Sequence, residues 1–508
     1  MAKIIRTGAL TGTVSEEVRV ECETTNGLPA MIIVGLPNKS IDESKERVRS
    51  ALSNSGLQFP KKRITMNLAP ADLPKFGSSF DLPLAISILQ QSKQIDINTS
   101  DCMFFGELSL NGDIRPIKGI LSHLLMSKSK GVKKVYIPYL NSPAASLVEG
   151  LEIYSFKTLG ELVEVINEVK PYFDSKQSST YFEQSSIIQP REIVEFDDIH
   201  GQEQAKRCMQ IVAAGGHNII MSGPPGTGKS MLAKALVSVL PGMTKNEIIE
   251  ATNLHSIAGI VGGGQIVNSR PVRTPHHTSS HISIIGGGRN PLPGEISLAH
   301  RGVLFLDEMP EYTRQVLETL RQPLEDRKIH IARSEGRVTF PADFMLVATQ
   351  NPCPCGYFGD NLKECTCTPH MINQYGRKIS GPLLDRIDLA VTVSRVDNRK
   401  LIENSKRTKT STRELRKSIN DARKIQELRF GSTEKLNSSM SNRDIGKHAL
   451  IRQDAMDLFD KAATQLRLSS RSYIKVIRVS RTIADLESSA SIEQKHIAEA
   501  LQYRFKDR

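Results

Sequence analysis

The sequence predicts an α/β protein: a parallel-sheet core, closed by a helical C-terminal block and preceded by a separate α+β domain. Three observations carry this reading. From residue 196 to about 395, strand-like apolar runs (NIIMSG, GVLFLDE, DFMLVATQN) alternate with helical segments, the pattern of parallel strands joined by crossovers. After about residue 395 the pattern is helical to the end, as in RSYIKVIRVSRTIADLE. Residues 1 to about 170 mix short apolar runs (MIIVGLP, KKVYIP) with helical stretches (SIDESKERVRSALSNSG, FDLPLAISILQQS), and a Ser- and Gln-rich stretch, DSKQSSTYFEQSSIIQPRE, follows them. The expected division is a first domain over 1–170, a linker over 171–190, a sheet core over 191–395 and a helical domain over 396–508.

Composition narrows the class. Apolar residues at 39% and charged residues at 24% are those of a globular chain. No apolar run approaches the ~18 residues that span a bilayer, and the first residues, MAKIIRTGALTGTVSEE, lack the apolar core of a signal peptide. A cytoplasmic location with no membrane partner is expected. In that reducing compartment, clustered cysteines point to metal rather than to disulfides. The net charge of +12 is uneven: residues 391–508 hold 26 Lys and Arg against 15 Asp and Glu. Such a block suits a phosphate-rich polymer or forms a solvated basic surface. With no Trp and 5% aromatics, contact with backbone phosphates is favoured over stacking on many bases.

The strongest motif is GPPGTGKS: Gly223, Pro224, Pro225, Gly226, Thr227, Gly228, Lys229 and Ser230. It follows the apolar run NII and precedes the helical MLAKALVSVL. Glycines let backbone N–H groups turn inward around phosphate oxygens, and the helix N-terminus adds its positive end. Lys229 is then expected to reach the β and γ phosphates of ATP, and Ser230 to place its hydroxyl on Mg²⁺. About 80 residues on, the run VLFLDE ends in Asp307, suited to the Mg²⁺ shell, and Glu308, suited to polarising the attacking water. DFMLVATQN ends at Asn351, an amide placed to orient water near the γ-phosphate. In GPLLDRIDL, Arg386 is the arginine that a neighbouring subunit would lend to the transferring phosphoryl group.

Loop, strand-acid, strand-amide and arginine in this order resemble the AAA+ ATPases. FDDIHGQ, residues 196–202, resembles the segment lining their adenine pocket, which places Ile199 and Gly201 there. TPHHTSSHISIIGGGRNPLPGEISLAHRGVLFLDE resembles the magnesium-chelatase-like branch, in which an insertion interrupts the second helix, and RKIHIARSEGRVTFPADF resembles that branch's hairpin. Such insertions usually face the pore of a hexamer, so a homo-hexamer is implied. The match runs on through NPCPCGYFGD, RKISGPLLDRIDL and LSSRSYIKVIRVSRTIADL and points to the ComM/YifB group. It implies a second sensor arginine in the helical lid, Arg471 or Arg478, with Arg471 favoured because it opens its helix. LAPADLPKFGSSFDLPLAISIL and FFGELSLNGDIRPIKGILSHLLMSKSKGVKKVYIP resemble the Lon-protease-like domain, of the ribosomal S5 domain 2-like fold. The protease serine matches Ser79, but the lysine position holds Leu121, with Lys118 three residues away. A serine nucleophile without its base implies a non-proteolytic relative. Its Lys61, Lys62, Arg63, Lys75, Arg115 and Lys118 would contact DNA or solvent.

The resemblance implies an ATP-driven motor on single-stranded or branched DNA, a branch-migration helicase of recombination or natural transformation. The alternative is a chelatase-type or remodelling ATPase acting on a protein. Against a chelatase stand the Lon-like domain and the absence of a D-x-S-x-S metal-adhesion motif.

Four of the seven cysteines, Cys353, Cys355, Cys365 and Cys367, fall in one polar loop as two Cys-x-Cys pairs. They supply the four soft ligands of a closed zinc site, although the pairs are tighter than the usual spacing. Free or redox-active thiols, or a mixed site with His370, are the other readings. Because GPPGTGKS lies elsewhere in the chain, metal loss is expected to spare nucleotide binding and to weaken coupling. His276 and His277, in TPHHT, lack a third ligand at short spacing and are read as a hydrogen-bonded or pore-facing loop.

Overall fold

The computed structural model describes residues 4–35, 39–172, 194–288, 290–333, 336–360, 362–395 and 411–505. Most of the expected linker, and the first residues of the helical block, lie outside them.

The first domain begins with a hairpin, β1 (Ile4–Thr11) and β2 (Val14–Thr25). β4 (Arg63–Ala69) pairs antiparallel with β2 and parallel with β3 (Ala30–Val34), giving the order β1-β2-β4-β3. Alternation decides its buried face: Ile64, Met66 and Leu68 are fully buried, while the residues between them are not. Helix Asp81–Gln91, apolar nearly all round, shares their core cluster. Three parallel strands follow: β5 (Cys102–Phe104), β8 (Lys134–Pro138) and β9 (Glu152–Phe156), with the small hairpin β6 (Glu107–Leu108) and β7 (Ile114–Arg115).

The core is a five-stranded sheet in the order β11-β14-β17-β10-β18, every pairing parallel. Its strands are β10 (Ile219–Ser222), β11 (Val272–Arg273), β14 (Val303–Leu306), β17 (Met345–Gln350) and β18 (Leu389–Thr392). All four residues of β14 are buried, as expected of a parallel strand covered on both faces. The two inserted hairpins, β12 (Gly286–Gly287) with β13 (Leu292–Pro293) and β15 (Lys328–Arg333) with β16 (Gly336–Pro341), meet where Gly286 approaches Ile331.

The two units touch at several points. Asn141 Nδ2 donates to Gly263 O (2.6 Å), the Gly119 N–H to Ser256 Oγ (3.0 Å) and Asn253 Nδ2 to Ser122 Oγ (2.8 Å). Helix Lys245–Ile257 thus docks on the first domain. At the β1–β2 turn, Gly12 has φ +61°, and a Cβ there would lie 2.4 Å from Val338 of β16.

The lid comprises helices Thr412–Phe430, Asn442–His448, Gln453–Gln465, Ser470–Leu486 and Gln494–Gln502. Leu415, Ile419 and Ile483 belong to one buried cluster with Cys208 and Val212 of helix Glu203–Gly215. Part of the basic excess is spent at this joint. The last carbonyls of a helix lack intrahelical partners and carry partial negative charge. Arg423 donates to Ala213 O (2.7 and 3.1 Å) and Arg416 to Ser238 O (2.6 and 3.0 Å), in the last turns of the two helices flanking the phosphate loop. Arg429 and Arg481 pair with the buried Asp485. Arg423, Arg429 and Arg481 thus hold the lid in place and are not a free DNA-facing surface, while Arg416 stays exposed beside its carbonyl. Lys75 of the first domain is likewise fully buried against Pro70 O, which removes it from the expected DNA contacts.

Replacing Arg423 by Met should destabilise the protein by about 1.5–3 kcal/mol, the worth of charge-assisted hydrogen bonds. The shift of the denaturant midpoint measures it.

Candidate active site

β10 ends at Ser222, and the chain turns through Gly223–Gly228 into helix Lys229–Val239. Gly226 (φ +75°) and Gly228 (φ +86°) adopt left-handed backbone that a side chain would strain. Gly223 is required by proximity: a Cβ would lie 2.2 Å from Val393 O, just past β18.

Strand register brings the polar ends together. Lys229 Nζ donates to Gly223 O (2.7 Å), Pro224 O (2.9 Å) and Asn351 Oδ1 (3.3 Å). Burial lowers its pKa, and Asp307 and Glu308 work against that shift. Ser230 Oγ donates to Asp307 Oδ2 (3.1 Å), and Thr349 Oγ1 donates to Asp307 Oδ1 (2.5 Å). The Glu308 N–H donates to Thr349 Oγ1 (2.9 Å), and Asn351 Nδ2 lies 3.5 Å from Glu308 Oε1. Glu308 itself has φ +51°, an uncommon state for a non-glycine residue. Ser230 and Asp307 present hard oxygen donors beside Lys229, a set that suits Mg²⁺. Glu308 and Asn351 line one cavity of about 590 Å³ with His277, Pro354, Tyr375 and Lys378.

Ile199 is buried in the same cluster as Phe196 and as Leu232 and Leu236 of the helix after the loop. Gly201 (φ +67°) turns the chain into helix Glu203–Gly215. These residues therefore lie beside the phosphate loop.

Arg386 and Arg471 do not. Both pair with Glu325, Arg471 at 3.4 Å. They line a cavity of about 420 Å³ with Arg327, Lys475 and Arg478. Arg386 O accepts from Asn218 Nδ2 (3.0 Å), and Asn218 immediately precedes β10. The two arginines thus sit at the N-terminal end of the sheet, a strand's length (roughly 13 Å for four residues) or more from Lys229 of the same chain. Arg478 donates to Met440 O within the lid.

The cysteine loop follows Asn351 directly. The sulfur of Cys353 lies 3.3 Å from that of Cys355 and 3.6 Å from that of Cys365, and Cys355 and Cys365 are 3.6 Å apart. With Cys367 they form a group able to hold a metal ion, all ligand atoms within 4.8 Å of one another. No other group of three or more such ligands occurs among the described residues. The rings of His276 and His277 lie 4.2 Å apart between centroids, tilted by 32°, and His276 Nδ1 meets Thr278 Oγ1 at 2.7 Å, a hydrogen-bonded loop. The cysteine loop is not remote from GPPGTGKS. A Cβ on Gly356 would lie 2.7 Å from both Cγ and Cδ of Pro225. Sequence distance misled here, because the sheet sets the two loops side by side.

In the first domain Ser79 is half-buried, and its carbonyl accepts from the Gly106 N–H (3.4 Å). Leu121 is buried, and Lys118 extends to Gly259 of the core unit. Two residues were not singled out in the sequence. Thr349, fully buried, bridges Asp307 and Glu308; its place two residues before Asn351, on the same strand face, was the available signal. Glu325, which gathers the two arginines, carries no local signal.

The comparisons agree along the chain. Residues 195–401 match the family model "Magnesium chelatase, subunit ChlI", residues 20–141 match "Subunit ChlI of Mg-chelatase" and residues 409–504 match "Magnesium chelatase, subunit ChlI C-terminal". The chain is similar to competence protein ComM of Haemophilus influenzae, 40% identical over 99% of this chain and 97% of that protein. It is similar to YifB of Salmonella typhimurium, 35% identical over 99% and 97%. A partial similarity of 32% over 151 residues, 27% of each chain, relates it to Lon protease 2 of Bacillus subtilis. The chain therefore belongs to the ComM/YifB group of magnesium-chelatase-like AAA+ ATPases.

Proposed function

We propose that this protein is an ATP-hydrolysing motor that acts on single-stranded or branched DNA as a homo-hexamer, a branch-migration helicase of recombination or natural transformation in the cytoplasm. The observation that supports hydrolysis is the unbroken chain of contacts from Lys229 through Asn351 to Glu308, and from Ser230 through Asp307 to Thr349. The reading on DNA is supported by similarity over nearly the whole chain to a protein named for competence. The domain division proposed is 1–170, 171–190, 191–395 and 396–508, with the first domain non-proteolytic because Leu121 leaves Ser79 without a base.

The geometry supports the following roles. Gly223–Ser230 cradle the phosphates of ATP, with Lys229 supplying the cation. Ile199 and Gly201 border the adenine. Ser230 and Asp307 would hold Mg²⁺, which neutralises charge on the β and γ phosphates. Glu308 takes a proton from the attacking water, and Asn351 orients that water. Arg386, and Arg471 as second sensor, face away from their own phosphate loop and are assigned to a neighbouring subunit's nucleotide. A structural Zn²⁺ is assigned to Cys353, Cys355, Cys365 and Cys367.

Lys229→Ala should abolish nucleotide binding. Glu308→Gln should keep binding and lose roughly 10²–10⁴-fold in turnover, the usual worth of a general base. Wild-type turnover in Glu308→Gln would refute the assignment of that strand end. Adding single-stranded or branched DNA should raise ATP turnover, and a purified three-strand branch-migration assay should show strand exchange. Turnover indifferent to every DNA but raised by a protein partner would favour a remodelling role instead. Arg386→Ala should bind ATP yet lose about 10³–10⁵-fold in turnover, as for other arginine fingers. Mixing it with Lys229→Ala subunits should restore some activity, since each supplies what the other lacks; no rescue at any ratio would count against a shared site.

A further inference from the structure

We infer that the cysteine loop is a zinc-locked clamp on the phosphate loop, so that metal at the four sulfurs sets how tightly nucleotide binds. The inference rests on reading Gly223–Ser230 as the nucleotide loop. Four observations support it.

The first is the sulfur geometry. A tetrahedral zinc with 2.3 Å bonds places its sulfurs about 3.8 Å apart. The three sulfur separations here are 3.3, 3.6 and 3.6 Å, with the fourth sulfur inside the same 4.8 Å group. All are far longer than a disulfide bond, and an iron–sulfur cluster would hold its ligands further apart. Soft thiolate donors select zinc over the hard Mg²⁺.

The second is the surroundings of the sulfurs. The Phe358 N–H donates to Cys353 Sγ (3.3 Å) and the Cys355 N–H to Cys367 Sγ (3.4 Å). Backbone donors aimed at sulfur are the outer-shell contacts that stabilise and orient metal-bound thiolate.

The third is what else holds the loop. Phe358 is 49% exposed and Leu362 78% exposed, so the loop's large apolar side chains do not bury it. A loop without its own core takes its fold from metal binding.

The fourth is where the loop presses. Gly356 (φ +85°) abuts Pro225, as the 2.7 Å approach of a Cβ to Cγ and Cδ shows. On its other side Asp360 pairs with Arg395 (3.2 Å), and Arg395 and Lys363 lie over the Tyr357 ring (5.7 and 4.2 Å), tying the loop to the chain beyond β18. Pro225 is thus backed by a knuckle whose own shape depends on the sulfurs. Without metal, the phosphate loop keeps its binding-competent shape for only part of the time, and the apparent Kd rises by the inverse of that fraction.

The test uses full-length, untagged Glu308→Gln protein, so that binding is read without turnover. Mass spectrometry should find one zinc per chain. A fluorescent ATP analogue should bind about tenfold more weakly once zinc is stripped and Mg²⁺ restored, which corresponds to a competent fraction of about one tenth. Re-added zinc should return the affinity. Because cysteine variants can misfold, a double-mutant cycle covers the contact itself: Gly356→Ala should weaken binding less in a Pro225→Ala background than alone. Absence of zinc, with all four thiols freely alkylated in the native protein, overturns the inference, as does iron in its place. Zinc present but unchanged affinity after stripping overturns the clamp and leaves the nucleotide site standing. A zinc-loaded protein that binds no nucleotide removes the phosphate-loop reading and the clamp together.

Discussion

The parallel register of β10 against β17 and β18 is the constraint on which the rest of the site depends. Ser222 lies opposite Gln350 and Thr392, and Leu306 lies opposite Ala348. That alignment delivers Lys229, Asp307, Thr349 and Asn351 to one end of the sheet within hydrogen-bond reach. Asn218 fixes the register from the other end. Its N–H donates to Asp388 Oδ2 (3.0 Å), its Oδ1 accepts from the Leu346 N–H (2.8 Å) and its Nδ2 donates to Arg386 O. A slip of one residue would turn each strand's side chains to the opposite face, and it would separate the acid pair from the phosphate loop.

The sheet core was legible in the sequence because its strands are apolar runs ended by a polar residue with a role. VLFLDE and DFMLVATQN state both the strand and the group it presents. The phosphate loop was legible because its glycines answer backbone demands, positive φ at Gly226 and Gly228 and close approach at Gly223. Thr349 was hidden inside an apolar run, where a hydroxyl reads as filler, although it sits between both acids. The contact between Gly356 and Pro225 was invisible for another reason. It joins loops after β10 and β17, and only the strand order makes them neighbours.

The basic C-terminal block shows how net charge can mislead. Charge counted along a chain says nothing of where the side chains end. Arg423 points inward to a helix carbonyl, the exposed Arg416 is held on another, and Lys475 donates to Ile387 O. Arg386 and Arg471 are gathered by Glu325 at the sheet's far end. What remains for a polyanion is a smaller and more localised set of cations than the sequence total of +12 suggests.

The seat of Val338 beside Gly12 bears on how freely an inserted hairpin can move. A hairpin such as β15–β16 could swing alone if only solvent lay behind it. Here the first hairpin of the other domain sits against it, and the same domain is bolted to helix Lys245–Ile257 through Asn253 and Ser256. A tilt of β15–β16 therefore presses on the first hairpin of that domain and cannot occur without a matching shift where the two units are joined. The first domain is a splint for the hairpin, which stiffens it through packing at that contact.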